Sequence, residues 1–381
     1  MLNNDVILPP ATIGIIGGGQ LGQMLALSAK SMGYKVGILD PTPDAPAAQV
    51  SDFQIVAAYE DQAAMDELIQ RCDVLTYEFE NVATTTLKSL SSRQLPQGVD
   101  LLAITSDRLN EKNFLRQHQL PTVAFAAVND DHSFEAAVRS VGLPAILKTT
   151  SGGYDGHGQV DINTARDYAA AQELYTQTPC ILEARLDFTK EVSVMVTRTV
   201  TGNVRVFPLS ENQHSAHILH RSIVPARVSS EIVQQVVQAA TTIAKGLELR
   251  GVLGIEFFVT EANQLVVNEL APRPHNSGHY SIEACNVSQF EAHIRSICGL
   301  PIPEIRQIQP AVMFNLLGEE LSLARQQLPQ HPEWHFHDYG KAEIRPQRKL
   351  GHVTILGPEL SPLITAALAF EKQDKGVPNV D

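Results

Sequence analysis

The feature that most constrains this chain is a short apolar run, Thr12–Ile16, that stops at Gly17-Gly18-Gly19-Gln20-Leu21-Gly22. It passes straight into a helical apolar pattern over Leu21–Lys30. The next strand is expected at Val36–Leu39, ending at Asp40-Pro41. Further short strands are expected at Ile55–Ala57 and Val74–Tyr77, with a helix over Gln62–Arg71 between them. Strands that alternate with helices across short loops build a parallel sheet covered by helices. Ligands of such sheets bind beyond the carboxyl ends of the strands. The glycine loop and Glu78-Phe79-Glu80-Asn81 both lie there. The loop also fits the G-x-G-x-x-G dinucleotide fingerprint, with Asp40 at the end of the second strand. Physically it specifies only a tight turn whose amides face an anion at a helix N-terminus.

Beyond residue 105 the pattern changes. Ser106 reads as an N-cap for a helix over Asp107–His118, which Leu120-Pro121 breaks. A helix near Phe134–Val141 and a strand at Ala145–Lys148 follow, then the loop Ser151-Gly152-Gly153-Tyr154-Asp155-Gly156-His157-Gly158-Gln159. Ile181–Glu183 reads as a strand. Val192–Val196 and Val204–Pro208 read as antiparallel strands around the turn Thr201-Gly202-Asn203. A long amphipathic helix at Ile232–Leu247 precedes a hairpin, Gly254–Val259 with Leu265–Leu270. After Leu300-Pro301 comes a smaller tail with strands near Val312–Leu316 and His352–Leu356. Glu371–Asp381 is polar and is expected to be loosely ordered.

A chain of 381 residues exceeds one compact core and suits two or three domains. Its net charge of −13 disfavours nucleic acid as a partner, because phosphates would repel it. No apolar run reaches the length of a membrane span, and Met1–Pro10 lacks the features of a secretion signal. Four scattered cysteines without a CxxC pair suit reduced thiols in a cytoplasmic protein.

Three features carry chemistry. The loop at 152–158 can donate backbone amides to phosphates, with Lys148 on the adjoining strand as a point charge. Glu256 and Glu269 stand on the two strands of the hairpin in otherwise apolar stretches, where carboxylates are costly unless a cation meets them. Two carboxylates facing one point can hold Mg²⁺ together with substrate phosphates. Ala271-Pro272-Arg273-Pro274-His275-Asn276-Ser277-Gly278-His279 leaves the hairpin directly and gathers a cation, two imidazoles and an amide beside that metal.

The order of glycine loop, linker strand and paired-Glu hairpin resembles the ATP-grasp superfamily. The strings Gly153–Gln159, Asn268–His279 and Arg345-Pro346-Gln347-Arg348-Lys349-Leu350-Gly351-His352 resemble the 5-(carboxyamino)imidazole ribonucleotide synthase family of purine biosynthesis. So do the front glycine loop and Thr76–Asn81, and the resemblance covers residues 11 to 356. It implies an α/β fold: an N-terminal Rossmann-like parallel-sheet domain over 1–110, a small lid over 111–185 and a central ATP-grasp domain with a C-terminal subdomain over 186–381. It implies an ATP-dependent carbon–nitrogen ligase. ATP phosphorylates bicarbonate to carboxyphosphate, and the exocyclic amine of 5-aminoimidazole ribonucleotide captures the carboxyl group, with ADP and phosphate released. A homodimer is also implied.

By position, the resemblance gives ATP the contacts Arg108, Lys148, Gly153, Tyr154, Asp155, Gly156, His157, Gly158, Gln159, Glu183, Ala184, Arg185, Leu186, Glu191, His214, Asn268 and Glu269. Glu256 and Glu269 bridge Mg²⁺ to the phosphates. Gly19, Gln20, Glu78 and Asn81 face the ribonucleotide, and Lys341 and Arg348 take its phosphate. Tyr154 and Asp155 close over the reacting amine, which Asp155 orients or deprotonates. Arg273 and His275 hold bicarbonate or carboxyphosphate. Many superfamily members place an asparagine two positions after the second glutamate; here that position is Ala271.

The triplets His214, His217, His220 and His331, His335, His337 have no cysteine or carboxylate at ligand spacing, so neither is read as a zinc site, and Trp334 is read as packing. Competing readings are a formate-using glycinamide ribonucleotide transformylase or a biotin-type carboxylase on the same fold, a dehydrogenase built on the front loop, and a non-catalytic nucleotide sensor.

Overall fold

The computed structural model describes residues 6–374 other than 81, 83, 89, 153–157 and 216–217. Among these residues three sheets form. The front sheet holds β1 (Thr12–Ile16), β2 (Lys35–Leu39), β3 (Phe53–Ile55) and β4 (Val74–Tyr77) in the order β3-β2-β1-β4, all parallel. The alternation of strand and helix produces the expected parallel sheet. Its third strand lies at Phe53–Ile55 rather than Ile55–Ala57, because Gly37 leaves room for Phe53: a Cβ there would stand 2.1 Å from the Phe53 ring.

The second sheet holds β5 (Phe125–Val128), β6 (Ala145–Thr149), β7 (Gln159–Ile162) and β8 (Cys180–Ala184), ordered β5-β8-β6-β7 and antiparallel. The third sheet is the largest. It holds β9 (Lys190–Arg198), β10 (Val204–Val206), β11 (Ser210–Ser215), β12 (Ile218–Val224), β13 (Val252–Val259), β14 (Leu265–Ala271), β15 (Ala311–Leu317), β16 (His335–Asp338) and β17 (Lys349–Leu356). The hairpin β13–β14 lies at one edge and the tail strands β15 to β17 at the other, so the tail extends the central sheet.

The Ser230–Gly246 helix buries Ile232, Val236, Ala239, Ala240, Ile243 and Ala244 against β9 and β13. These positions recur at helical spacing, and the apolar area they remove from water is what fixes the helix to the sheet. The Gln20–Ser31 helix packs against Gln289–Ile297, so Leu25 of the front domain and Phe290 of the central part share one core.

Two further sequence expectations need correction. Asp107, not Ser106, caps the Arg108–Gln117 helix, its carboxylate accepting from Asn110 N–H at 2.9 Å. Ser106 instead ends the preceding Gly98–Thr105 helix, which was not foreseen. The expectation of a loose terminus fails for Glu371. It lies in the Leu360–Asp374 helix and is bound by His220 at 3.0 Å and Arg221 at 2.8 Å.

Candidate active site

The hairpin sets Glu256 directly opposite Glu269. Past this pair the register shifts, and Phe257 pairs with Val267, leaving Asn268 as the extra residue of a bulge. The bulge turns both Asn268 and Glu269 toward the cleft, while Phe257 on β13 is fully buried in the core. Burial, then the neighbouring Glu269 and Glu191, push the Glu256 carboxyl well above its ordinary range. Carboxylates so placed share a proton or meet a cation. One ligand atom from each of Glu256, Glu269 and His275 falls within 4.8 Å of the others. Two hard oxygen donors and open space for phosphates fit Mg²⁺.

The wall across from the hairpin is built of charges. Lys148, at the end of β6, donates to Glu183 of β8 at 2.6 Å. Lys112 stands 4.0 Å from the same carboxylate and is 2% exposed. Burial pushes Glu183 upward, but Lys112 and Lys148 more than offset it and hold the carboxyl below its ordinary value. Lys112 also donates to the Asn268 carbonyl at 2.5 Å, and its neighbour Glu111 accepts from Leu270 N–H at 2.8 Å. Burial raises Glu111 to about 8. One turn of the Arg108–Gln117 helix therefore ties the small sheet to the hairpin. Arg108 reaches Glu269 at 3.9 Å.

Between these walls lies a cleft of 1030 Å³. One end is apolar, lined by Val123, Ile146, Leu186, Phe188 and Phe258, with the Phe188 and Phe258 rings stacked at 4.3 Å. The chain leaving β8 runs along it as Ala184, Arg185 and Leu186. The Arg185 N–H is used by Pro144 O at 3.0 Å. Glu191 on β9 and His214 on β11 meet at 2.5 Å on the cleft rim. Gln159 opens β7 opposite Lys148. Gly153, Tyr154, Asp155, Gly156, His157 and Asn81 lie outside the described residues.

The cleft continues to the front sheet, where Gln20 and Glu78 line it. Glu78 accepts from the amides of Gly19 and Gly22, both at 2.5 Å. The helix N-terminus that would attract an anion thus holds one of the chain's own carboxylates. Burial raises the Glu78 pKa, partly countered by these two N–H donors. Asp40, the acid of the dinucleotide fingerprint, accepts from Gly18 N–H at 2.7 Å, Thr42 N–H at 2.8 Å and Tyr59 O–H at 2.6 Å. It is 6% exposed, so it has no freedom to bind a ribose. Arg273 joins the hairpin exit to the front domain through Glu80 at 2.9 Å. Lys341 donates to the Lys349 carbonyl at 2.8 Å, and burial lowers its pKa to about 8. Arg348 donates to the Glu343 carbonyl at 3.2 Å. Lys341, Arg348, Gly19 and Gly158 do not line the cleft itself, whereas Lys349 does.

Comparison with known proteins agrees with this arrangement. A ribonucleotide synthetase preATP-grasp domain matches residues 10–102, an ATP-grasp domain 113–290, and a phosphoribosylaminoimidazole carboxylase C-terminal domain 311–365. The N5-carboxyaminoimidazole ribonucleotide synthase of Staphylococcus aureus (strain MRSA252) is 46% identical over 348 residues, spanning 91% of this chain and 92% of its own. The chain belongs to the N5-carboxyaminoimidazole ribonucleotide synthase family. The S. aureus synthetase crystallised with ADP superposes with a TM-score of 0.92 at 43% identity, covering 97% of this chain and 99% of the other. The Aspergillus clavatus synthase, crystallised with ADP and 5-aminoimidazole ribonucleotide, gives 0.87 at 30% identity, covering 95% and 99%.

Within this synthase fold, sequence reasoning missed Lys112, Glu111, Glu80 and Lys349. Glu80 lies just past the end of β4 and Lys349 opens β17, and those positions were the available signal. Lys112 and Glu111 gave none, since two charges on a helix ordinarily face solvent.

Proposed function

We propose that this chain carboxylates 5-aminoimidazole ribonucleotide with bicarbonate at the expense of ATP, forming N5-carboxyaminoimidazole ribonucleotide, ADP and phosphate. The observation that carries the reading is the single cleft shared by the Glu256–Glu269 pair, the Lys148–Glu183 wall, and the front-domain residues Gln20 and Glu78. A nucleotide at the apolar end and a second substrate at the front sheet meet at Arg273 and His275.

In this reading adenine lies beside Ala184–Leu186, and Glu191 accepts from the ribose hydroxyls. Arg108, Lys148 and the loop at 153–159 hold the phosphates. Glu256 and Glu269 would hold Mg²⁺, which when bound offsets the charge of the transferring phosphoryl group. A bicarbonate oxygen, fixed by Arg273, attacks the γ-phosphorus, and the bond from that phosphorus to ADP breaks. The amine of the ribonucleotide then attacks the carboxyl carbon. The carbon–oxygen bond to phosphate breaks, and the amine proton passes to Asp155. Glu78 faces the ribose, and Lys341 and Arg348 the 5′-phosphate. Burial holds His275 well below its ordinary pKa, with Arg273 adding to the effect, so it works as a neutral imidazole.

The division into residues 1–110, 111–185 and 186–381 belongs to the same proposal, as do a homodimer and a cytoplasmic location. The four cysteines are unpaired thiols, which suits a reducing compartment. No helix among the described residues is long and apolar enough to cross a membrane. The route through carboxyphosphate is tested with ¹⁸O-labelled bicarbonate. One labelled oxygen is expected in the released phosphate, and phosphate carrying none of the bicarbonate label would rule out attack by bicarbonate.

A further inference from the structure

Behind His275 runs a buried chain of hydroxyl and amide groups that the reaction scheme leaves unused. His275 precedes the short turn Asn276–Gly278, and its Nδ1 accepts from the Ser277 backbone N–H at 3.4 Å. The Ser277 hydroxyl lies 2.8 Å from the same Nδ1. Ser277 and Ser193 are both fully buried, and their hydroxyls meet at 2.6 Å. Ser193 is in turn contacted by the Ser210 hydroxyl and by Asn212 Nδ2, each at 2.8 Å. The Asn212 carbonyl oxygen accepts from Ser222 at 3.0 Å. The backbone of His275 is clamped as well: its N–H donates to Gln289 Oε1 at 2.9 Å and its carbonyl accepts from Gln289 Nε2 at 2.8 Å.

Each group in this chain has a limited number of protons to give. A backbone N–H already points at Nδ1, and a proton on Nδ1 would face it head-on. That backbone N–H sets the sense, and the hydroxyls can follow it: Ser210 has acceptors of its own in the Ser193 carbonyl at 3.1 Å and Asn212 Oδ1 at 3.2 Å, Ser193 donates to Ser277, and Ser277 donates to Nδ1. A neutral imidazole with an accepting Nδ1 carries its proton on Nε2. That atom points toward Glu256 Oε1 at 3.6 Å, beyond hydrogen-bond length, so its N–H remains available to the cleft.

We propose that Ser277, backed by Ser193 and Asn212, is a positioning residue that locks His275 as the Nε2–H tautomer, so that His275 donates to the carboxylating substrate and is not a third metal ligand. A metal-bound Nε2 would need its lone pair, and the proton would sit on Nδ1 against two donors. This assignment rests on the function proposed above for the donated hydrogen bond, but the tautomer itself does not depend on that function.

The test is long-range ¹H–¹⁵N correlation of the ¹⁵N-histidine-labelled full chain, with His275 assigned by its loss in His275→Asn. Spectra are taken without metal and with MgADP. The proton is expected on Nε2 in both, and a mixture of tautomers in Ser277→Ala. A proton on Nδ1 in the unaltered chain, or its transfer there when Mg²⁺ is added, would overturn the proposal. In steady state, Ser277→Ala should raise KM for bicarbonate about tenfold, with KM for ATP changed less than about twofold. Equal rises in both would show a merely structural role. If the unaltered chain gives no bicarbonate-dependent turnover, the functional reading fails while the tautomer measurement still decides this one.

Discussion

At the residue scale, the site is organised by which charges are allowed to be buried together. Glu183 is the plainest case: 4% exposed, with Lys148 and Lys112 on either side. Removing one member of a buried pair leaves the others without countercharge, which costs roughly 3 kcal/mol. Glu183→Gln should lose about that much stability at neutral pH in urea denaturation. Its partners hold the folded carboxyl below its ordinary value. Its contribution is therefore complete above the unfolded pKa and is lost as pH falls through the folded one. The gap between variant and parent should shrink in acid; a gap that widens there would contradict the pairing. Such partnerships were only half legible in the sequence. Lys148 stood out because a glycine loop follows it, and the two glutamates because their strands are otherwise apolar. Lys112 became a site residue only because the hairpin packs across its helix, and no local pattern encodes that.

At the element scale, legibility follows periodicity. The hairpin and the Ser230–Gly246 helix each have one apolar face, and both were readable. Gln289–Ile297 was not read as a helix although its apolar residues recur at helical spacing; it is covered on both sides and buries Gln289, His293 and Ser296 as well. The Leu360–Asp374 helix was not foreseen from the sequence, and the anchor that orders its end is tertiary. His220 of β12 sits between Glu320 at 3.1 Å and Glu371 at 3.0 Å, and Arg221 adds a second bond to Glu371. Burial alone would lower the His220 pKa, but the two carboxylates raise it to about 9. A raised histidine stabilises fully below its unfolded pKa and loses that contribution as pH rises through the folded one. The parent should therefore lose roughly 2 kcal/mol between about pH 6.5 and pH 9 that His220→Gln does not. Thermal melts across that range measure it, and parallel curves for the two proteins would refute the anchor.

At the scale of the whole molecule, no single sheet carries the site. The Glu256–Glu269 pair comes from the large sheet, the Lys148–Glu183 wall from the small one, and the facing glycine loop from the front one. Arg273–Glu80 and the shared core of Leu25 and Phe290 hold the front sheet against the rest. The front loop shows why composition alone misleads: its fingerprint suits a dinucleotide, yet Asp40 and Glu78 have consumed the amides and freedom that a dinucleotide would need. The proposed function, with ATP and the ribonucleotide in one shared cleft, predicts turnover that waits for the second substrate. ADP release from MgATP and bicarbonate should therefore be measured with and without 5-aminoimidazole ribonucleotide, beside Asp155→Asn. Release that requires the ribonucleotide, and falls at least about 100-fold in the variant, is the expected result. Release that ignores this ribonucleotide but responds to glycinamide ribonucleotide with formate would contradict the account.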